Sequence, residues 1–140
     1  METIVYSLQD IDTVVELLHK KMNDFKVITF TGDLGTGKTT LVRALLRRCS
    51  IHGVITSPTF TYLNVYENEQ GQTFYHFDAY RIKTIHDFRV SGFDEYLYQP
   101  QSWAFIEWPE VIKPLLDHAV LNITLDYDDN TRVMKVEEIK

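Results

Sequence analysis

Val27-Ile28-Thr29-Phe30-Thr31-Gly32-Asp33-Leu34-Gly35-Thr36-Gly37-Lys38-Thr39-Thr40-Leu41-Val42-Arg43-Ala44-Leu45-Leu46-Arg47 is the stretch that decides the fold. Its first five residues are apolar or β-branched and read as a buried strand. Its last eight carry apolar residues on one face at helical spacing. The eight residues between, Gly32 to Thr39, meet every defined position of the phosphate-loop pattern G-x-x-x-x-G-K-[ST]. Gly32, Gly35 and Gly37 let the backbone take conformations closed to other residues and approach an anion closely. Successive N–H groups then form a nest for phosphate oxygens, and the N-terminus of the following helix adds partial positive charge. In such a loop Lys38 reaches the β- and γ-phosphates and the Thr39 hydroxyl ligates Mg²⁺. Pattern and flanks together stand against an ordinary glycine-rich turn.

Working outward, Ile4-Val5-Tyr6 reads as a strand. Ile11, Val14, Val15, Leu18 and Met22 recur at helical spacing, which predicts an amphipathic helix from about Asp10 to Met22. Downstream, Ser57-Pro58-Thr59 marks a loop. Phe60 to Tyr66 and Thr73 to Phe77, joined by a polar segment, predict a hairpin. A helix is expected over Thr84 to Val90, with Gly92 helping to end it, and a further helical turn at Asp94 to Leu97. Trp103-Ala104-Phe105-Ile106 predicts a buried strand ending in Glu107. Pro109 is expected to open a helix towards Leu116. Ala119 to Tyr127, a turn at Asp128-Asp129-Asn130, and Val133 to Ile139 predict a second hairpin. The sum is an α/β domain of the P-loop NTPase type. It has a mixed central β-sheet flanked by helices, with β-hairpins, in a single domain over residues 1–140.

Composition narrows the function. With 140 residues, 44% hydrophobic and 24% charged, the chain matches an ordinary globular domain. No apolar run reaches membrane-spanning length. The opening Met1-Glu2-Thr3 lacks the basic start and apolar stretch of a secretory signal. Cys49 is the lone cysteine, so neither an internal disulfide nor a zinc cluster is expected, and it reads as a buried structural thiol. These features favour the cytoplasm. The formal net charge of −6 matters for partners, because a protein that binds nucleic acid by itself usually shows a basic face, and the nearest candidate here is one helix. Arg43, Arg47 and Arg48 on the loop helix read first as a solvated face and second as a docking surface.

A phosphate loop needs an acid on the metal side, at the carboxyl end of a neighbouring strand. Glu107 and Asp78 both fit, and Glu107 ranks higher because its strand reads as buried. The alternatives are a helix-start residue beside Pro109 for Glu107, and a turn acid or a salt-bridge acid paired with Arg81 for Asp78. Ser57, Thr59 and Thr61 lie where a nucleotide switch supplies a hydroxyl to metal or γ-phosphate. The alternative there is a loop capped by its own hydroxyls. His76 shares a strand face with Asp78 and reads as structural. Trp108 leaves its strand towards the loop-bearing edge, placed to cover the site or meet a partner.

Four blocks then occur in order: Gly32 to Thr40, Ser57-Pro58-Thr59-Phe60-Thr61, His76-Phe77-Asp78-Ala79-Tyr80-Arg81, and Glu107-Trp108-Pro109-Glu110. Together they resemble the TsaE (YjeE) family of bacterial ATPases in tRNA threonylcarbamoyladenosine biosynthesis, over nearly the whole chain. The resemblance implies ATP or ADP bound with Mg²⁺, and action beside TsaD and TsaB, with TsaD performing the transfer and tRNA met only through the complex. It places nucleotide contacts on Gly32, Asp33, Leu34, Gly35, Thr36, Gly37, Lys38, Thr39 and Thr40. Metal-side and catalytic acids fall on Asp78 and Glu107, and the metal hydroxyl on Thr39. The family tryptophan falls on Trp108, and an adenine pocket on Asp10 and Arg132. One departure is Ala79, where the family carries leucine; it bears on packing more than on chemistry. From the residues alone, a small-molecule kinase, a GTP switch and a non-hydrolysing nucleotide-dependent scaffold remain rivals. No arginine-rich lid and no Asn-Lys-x-Asp guanine signature is present.

Overall fold

The structure, a computed structural model, describes residues 2–33, 35–56, 58 and 62–140. Leu34, Ser57, Thr59, Phe60 and Thr61 therefore lie outside the described residues, with the expectations attached to them. The strands are β1 (Glu2–Ser7), β2 (Val27–Thr31), β3 (Leu63–Glu67), β4 (Thr73–Asp78), β5 (Ser102–Glu107), β6 (Val120–Asp128) and β7 (Thr131–Ile139). The helices are α1 (Ile11–Lys21), α2 (Lys38–Arg48) and α3 (Ile85–Val90).

The strands form one mixed sheet in the order β1-β7-β6-β2-β5-β4-β3. Its centre, β6-β2-β5-β4, is parallel. Its wings are the antiparallel pairs β6–β7, β7–β1 and β4–β3. Parallel strands are covered on both faces, and β2 reads accordingly as a continuous apolar run with four of its five residues buried. On one face α1 and α2 bury Leu18, Leu41, Leu45 and Leu46 against Phe30, Phe74 and Phe105. On the other, α3 and short turns bury Phe88, Ile112 and Leu116 against Val27, Phe77 and Ile106. Each such aromatic or aliphatic side chain contributes about 1.5–3 kcal/mol on burial.

Local chemistry sets the element ends. The Thr84 hydroxyl accepts the Asp87 N–H at 3.0 Å and starts α3. Gly92, at φ 78°, ends it. The β6–β7 turn has only Asp129 and Asn130 between the paired residues Asp128 and Thr131, and Asp129 takes φ 52°.

The helix expected from Pro109 to Leu116 is absent. A 3₁₀ turn at Lys113–Leu115 stands in its place. Pro114 is the physical reason: without an N–H, and with a ring that would strike the carbonyl of Glu110, it cannot sit inside an α-helix. The first hairpin strand begins at Leu63 among the described residues. Cys49 is buried as expected, its Sγ 3.8 Å from Met22 Sδ, and burial pushes its thiol up to about 12. Two of the arginines of α2 are engaged: Arg48 pairs with Glu16 of α1 at 2.7 Å and Arg47 donates to the Ile51 carbonyl at 3.1 Å. Among the described residues no helix is long and apolar enough to cross a membrane.

Candidate functional site

Parallel pairing brings the carboxyl ends of β2, β5 and β4 to one edge, and the chain leaves β2 there into the glycine loop. The strands that follow fall on both sides of β2, with β5 and β4 on one and β6 on the other. In α/β sheets such a switch of direction opens a crevice outside the strand ends.

Gly32 is required by close approach. A Cβ there would lie 2.6 Å from the Leu125 carbonyl oxygen and 2.7 Å from Thr36 Oγ1. Gly37 caps α2 in the left-handed region at φ 97°. Thr36 fastens the loop, donating from its hydroxyl to the Asp33 carbonyl at 2.8 Å. Arg132, from β7, donates through Nε to the Thr36 carbonyl at 3.1 Å and lays its guanidinium 4.2 Å over the Tyr127 ring. The second hairpin therefore braces the loop.

Lys38 is only 5% exposed. Its ammonium donates to the Gly32 carbonyl, and to the Asp33 carbonyl at 3.0 Å. It also sits 3.9 Å over the Trp108 ring. Burial holds its pKa below the ordinary lysine value, opposed by the carboxylates of Glu107, Glu110, Asp33 and Asp78. Trp108 takes φ 57°, unusual for a bulky residue, and its N–H donates to the Phe30 carbonyl at 3.3 Å. It thereby leaves β5 across the end of β2, and Tyr80 packs on it at 4.9 Å between ring centroids. The expected exit towards the loop edge is what the structure has.

The acids stand side by side, Glu107 of β5 in register with Asp78 of β4. Glu107 is 3% exposed. Its Oε1 accepts the Thr39 hydroxyl at 2.8 Å and its Oε2 meets His76 Nε2 at 2.5 Å. Asp78 is half-buried, and its Oδ1 accepts the Tyr80 N–H at 3.0 Å, an Asx turn rather than an ion pair. Burial raises its pKa above the ordinary aspartate value, the Tyr80 N–H counters this, and the neighbouring Glu107 charge adds to the rise. Thr40 and Asp33 face outward. Asp10 lies just beyond the end of β1, where Ser7 pairs with Thr131 beside Arg132, and it accepts the Ser7 hydroxyl at 3.0 Å.

His76 is the residue the sequence reading placed outside the site. Its only legible signal is the alternation Phe74, His76, Asp78 along one strand face. A histidine deep on an apolar face implies a polar partner, but that partner comes from another strand.

A glycine loop from a buried strand to a helix N-terminus, with a buried carboxylate bonded to the residue after the loop lysine, defines a P-loop protein of the α/β class. The crystal structure of Bacillus subtilus YdiB shares this fold, with a TM-score of 0.71 over 99% of this chain and 87% of that one at 24% identity. The family model described as "Threonylcarbamoyl adenosine biosynthesis protein TsaE" matches residues 5–134, and the chain belongs to that family. It is 35% identical to the tRNA threonylcarbamoyladenosine biosynthesis protein TsaE of Haemophilus influenzae, over 84% of this chain and 73% of that protein. The namesake of Rickettsia felis is 31% identical over 95% and 77%, and that of Synechocystis 36% identical over 82% and 74%.

Proposed function

We propose that this chain is an ATP-binding and hydrolysing subunit for threonylcarbamoyladenosine formation on tRNA, acting as one domain in the cytoplasm with TsaD and TsaB counterparts. The observation that carries the reading is the 2.8 Å bond from the Thr39 hydroxyl to Glu107, directly below the loop. It joins the phosphate-loop hydroxyl to a buried acid, as a magnesium-nucleotide site requires.

The residues present fit that group. Glycine at 32 lets the loop close against the Leu125 carbonyl and the Thr36 hydroxyl, and in a loop so closed successive amides can form a nest for phosphate oxygens. Lys38 would exchange the carbonyls of Gly32 and Asp33 for β- and γ-phosphate oxygens. Thr39 and Glu107 would hold Mg²⁺, which when bound neutralises charge developing on the phosphates. Asp78, with one carboxylate oxygen turned to the Tyr80 N–H, retains a second oxygen to orient the attacking water. Arg132, bonded to the Thr36 carbonyl, and Asp10 would contribute to the pocket for the base. Ser57, Thr59, Thr61 and Trp108 are the proposed switch and partner-facing residues. The net charge of −6 supports tRNA contact through partners rather than directly.

ATP hydrolysis by the chain alone and with TsaB and TsaD counterparts tests the reading. Strong stimulation in the complex is expected. Unchanged hydrolysis with no physical association would overturn it and return the small-molecule kinase to first place.

A further inference from the structure

His76 is completely buried on β4, on the same strand face as Asp78 and diagonal to Glu107 across the parallel β4–β5 pair. Among the described residues its ring makes one polar contact, the 2.5 Å approach of Nε2 to Glu107 Oε2. Its other nitrogen, Nδ1, is buried without a hydrogen-bond partner among the described residues. A buried histidine with one nitrogen unmatched is a poor choice for stability alone. Phe74, two residues earlier on the same face, shows what the same environment accepts when only packing is asked of it: it is 1% exposed and stacks with Trp103.

We propose that His76 is a positioning residue for the reaction, whose Nε2–H fixes the Glu107 carboxylate so that Oε1 is presented to Thr39 and the metal side. The inference rests on the ATPase reading above. Its logic is geometric. The terminal torsion of a glutamate is broad and intrinsically soft. The Thr39 bond holds one oxygen only, and Thr39 is itself expected to turn to the metal. A second donor, on the opposite oxygen and rooted in a central strand, removes the remaining rotation. A carboxylate oxygen accepts in this contact, so Nε2 is the donor. Orientation of a primary ligand or base by a buried partner is a recurring way to keep reacting groups in place.

The test uses the chain in complex with its TsaB and TsaD counterparts and compares His76→Phe with His76→Gln. Glutamine keeps an N–H donor at similar reach, and phenylalanine keeps the volume without it. His76→Phe is expected to lower kcat for ATP hydrolysis about tenfold or more with KM within about threefold, and His76→Gln to restore most of the loss. Wild-type kcat in His76→Phe, or a folded His76→Gln as slow as His76→Phe, would overturn the proposal. Long-range ¹⁵N–¹H correlation spectra of the intact chain give a second reading that needs no variant at His76 and no turnover. The Nε2–H tautomer is expected, with a resonance that moves in Glu107→Gln. A His76 signal in the Nδ1–H tautomer, or one indifferent to Glu107→Gln, would also overturn it. Failure of the wild-type complex to bind or hydrolyse ATP would instead overturn the ATPase reading, and the spectra would still decide whether His76 holds Glu107.

Discussion

The ends of β5 and β4 lie next to each other in register, each closing on a carboxylate, and the two are held in opposite ways. Glu107 is sealed at 3% exposure, with donors on both oxygens from Thr39 and His76. Asp78 is half-buried, with a single backbone donor on one oxygen. A buried charge without partners is strongly destabilising, so the full set of donors is what allows Glu107 to be there at all. Asp78 has fewer donors, more water and a carboxyl that burial has made harder to ionise. The difference teaches a division of labour. The rigid, fully bonded acid suits a fixed position beside Thr39, and the open one suits a water that must move.

Glu107→Gln strikes at the rigid end and carries the largest expected effect. The amide keeps shape and volume but offers an N–H₂ where an acceptor is needed. ATP turnover in the complex should fall about a hundredfold or more while nucleotide affinity, held by the loop amides and Lys38, stays within about threefold. Equilibrium binding of a fluorescent ATP analogue beside steady-state hydrolysis separates the two. Asp78→Asn should cost less, about a hundredfold in turnover, the low end of the usual range for losing one general base. Surviving turnover in Glu107→Gln with none in Asp78→Asn would invert the comparison and exchange the two roles.

The strand–loop–helix core of this arrangement was legible because Val27 to Arg47 carries its own instructions: apolar run, glycines at fixed spacing, then a helical face. Both acids were legible too, as polar residues closing two apolar runs. What sequence could not supply was adjacency. Nothing in Phe74 to Asp78 says that β4 lies parallel to β5 with Phe105 opposite His76, and without that register the His76–Glu107 contact does not exist. Nor does Ile4-Val5-Tyr6 announce a partner near the far end of the chain, since Val5 pairs with Val133 only because β7 is already held by its own hairpin to β6. The helix expected after Pro109 failed for the opposite reason. The information is local, in Pro114, which ends any helix that Pro109 could open.

The smallest effect separates the two acids most cleanly, because it concerns stability rather than activity. The folded state raises the Asp78 pKa, chiefly by burial. The fold therefore favours the protonated carboxyl, and ionising it costs stability. That cost is fully present above the folded-state value and absent below the ordinary carboxylate value, so this contribution turns unfavourable as pH rises through the window between them. An asparagine at this position would carry no charge at any pH and would still accept the Tyr80 N–H. The Asp78→Asn chain should therefore melt about 1–2 °C higher than the wild type near neutrality, with the gap closing in acid. Thermal denaturation across pH reads this directly. A mutant less stable at neutral pH, or a gap that widens in acid, would show that the charge on Asp78 is supported by the fold after all. Glu107→Gln should behave oppositely and lose stability near neutrality, because it exchanges an acceptor with two donors in place for an amide that cannot satisfy both. A carboxylate whose removal stabilises the chain while slowing its chemistry is one retained for function, at a site where activity and stability pull apart.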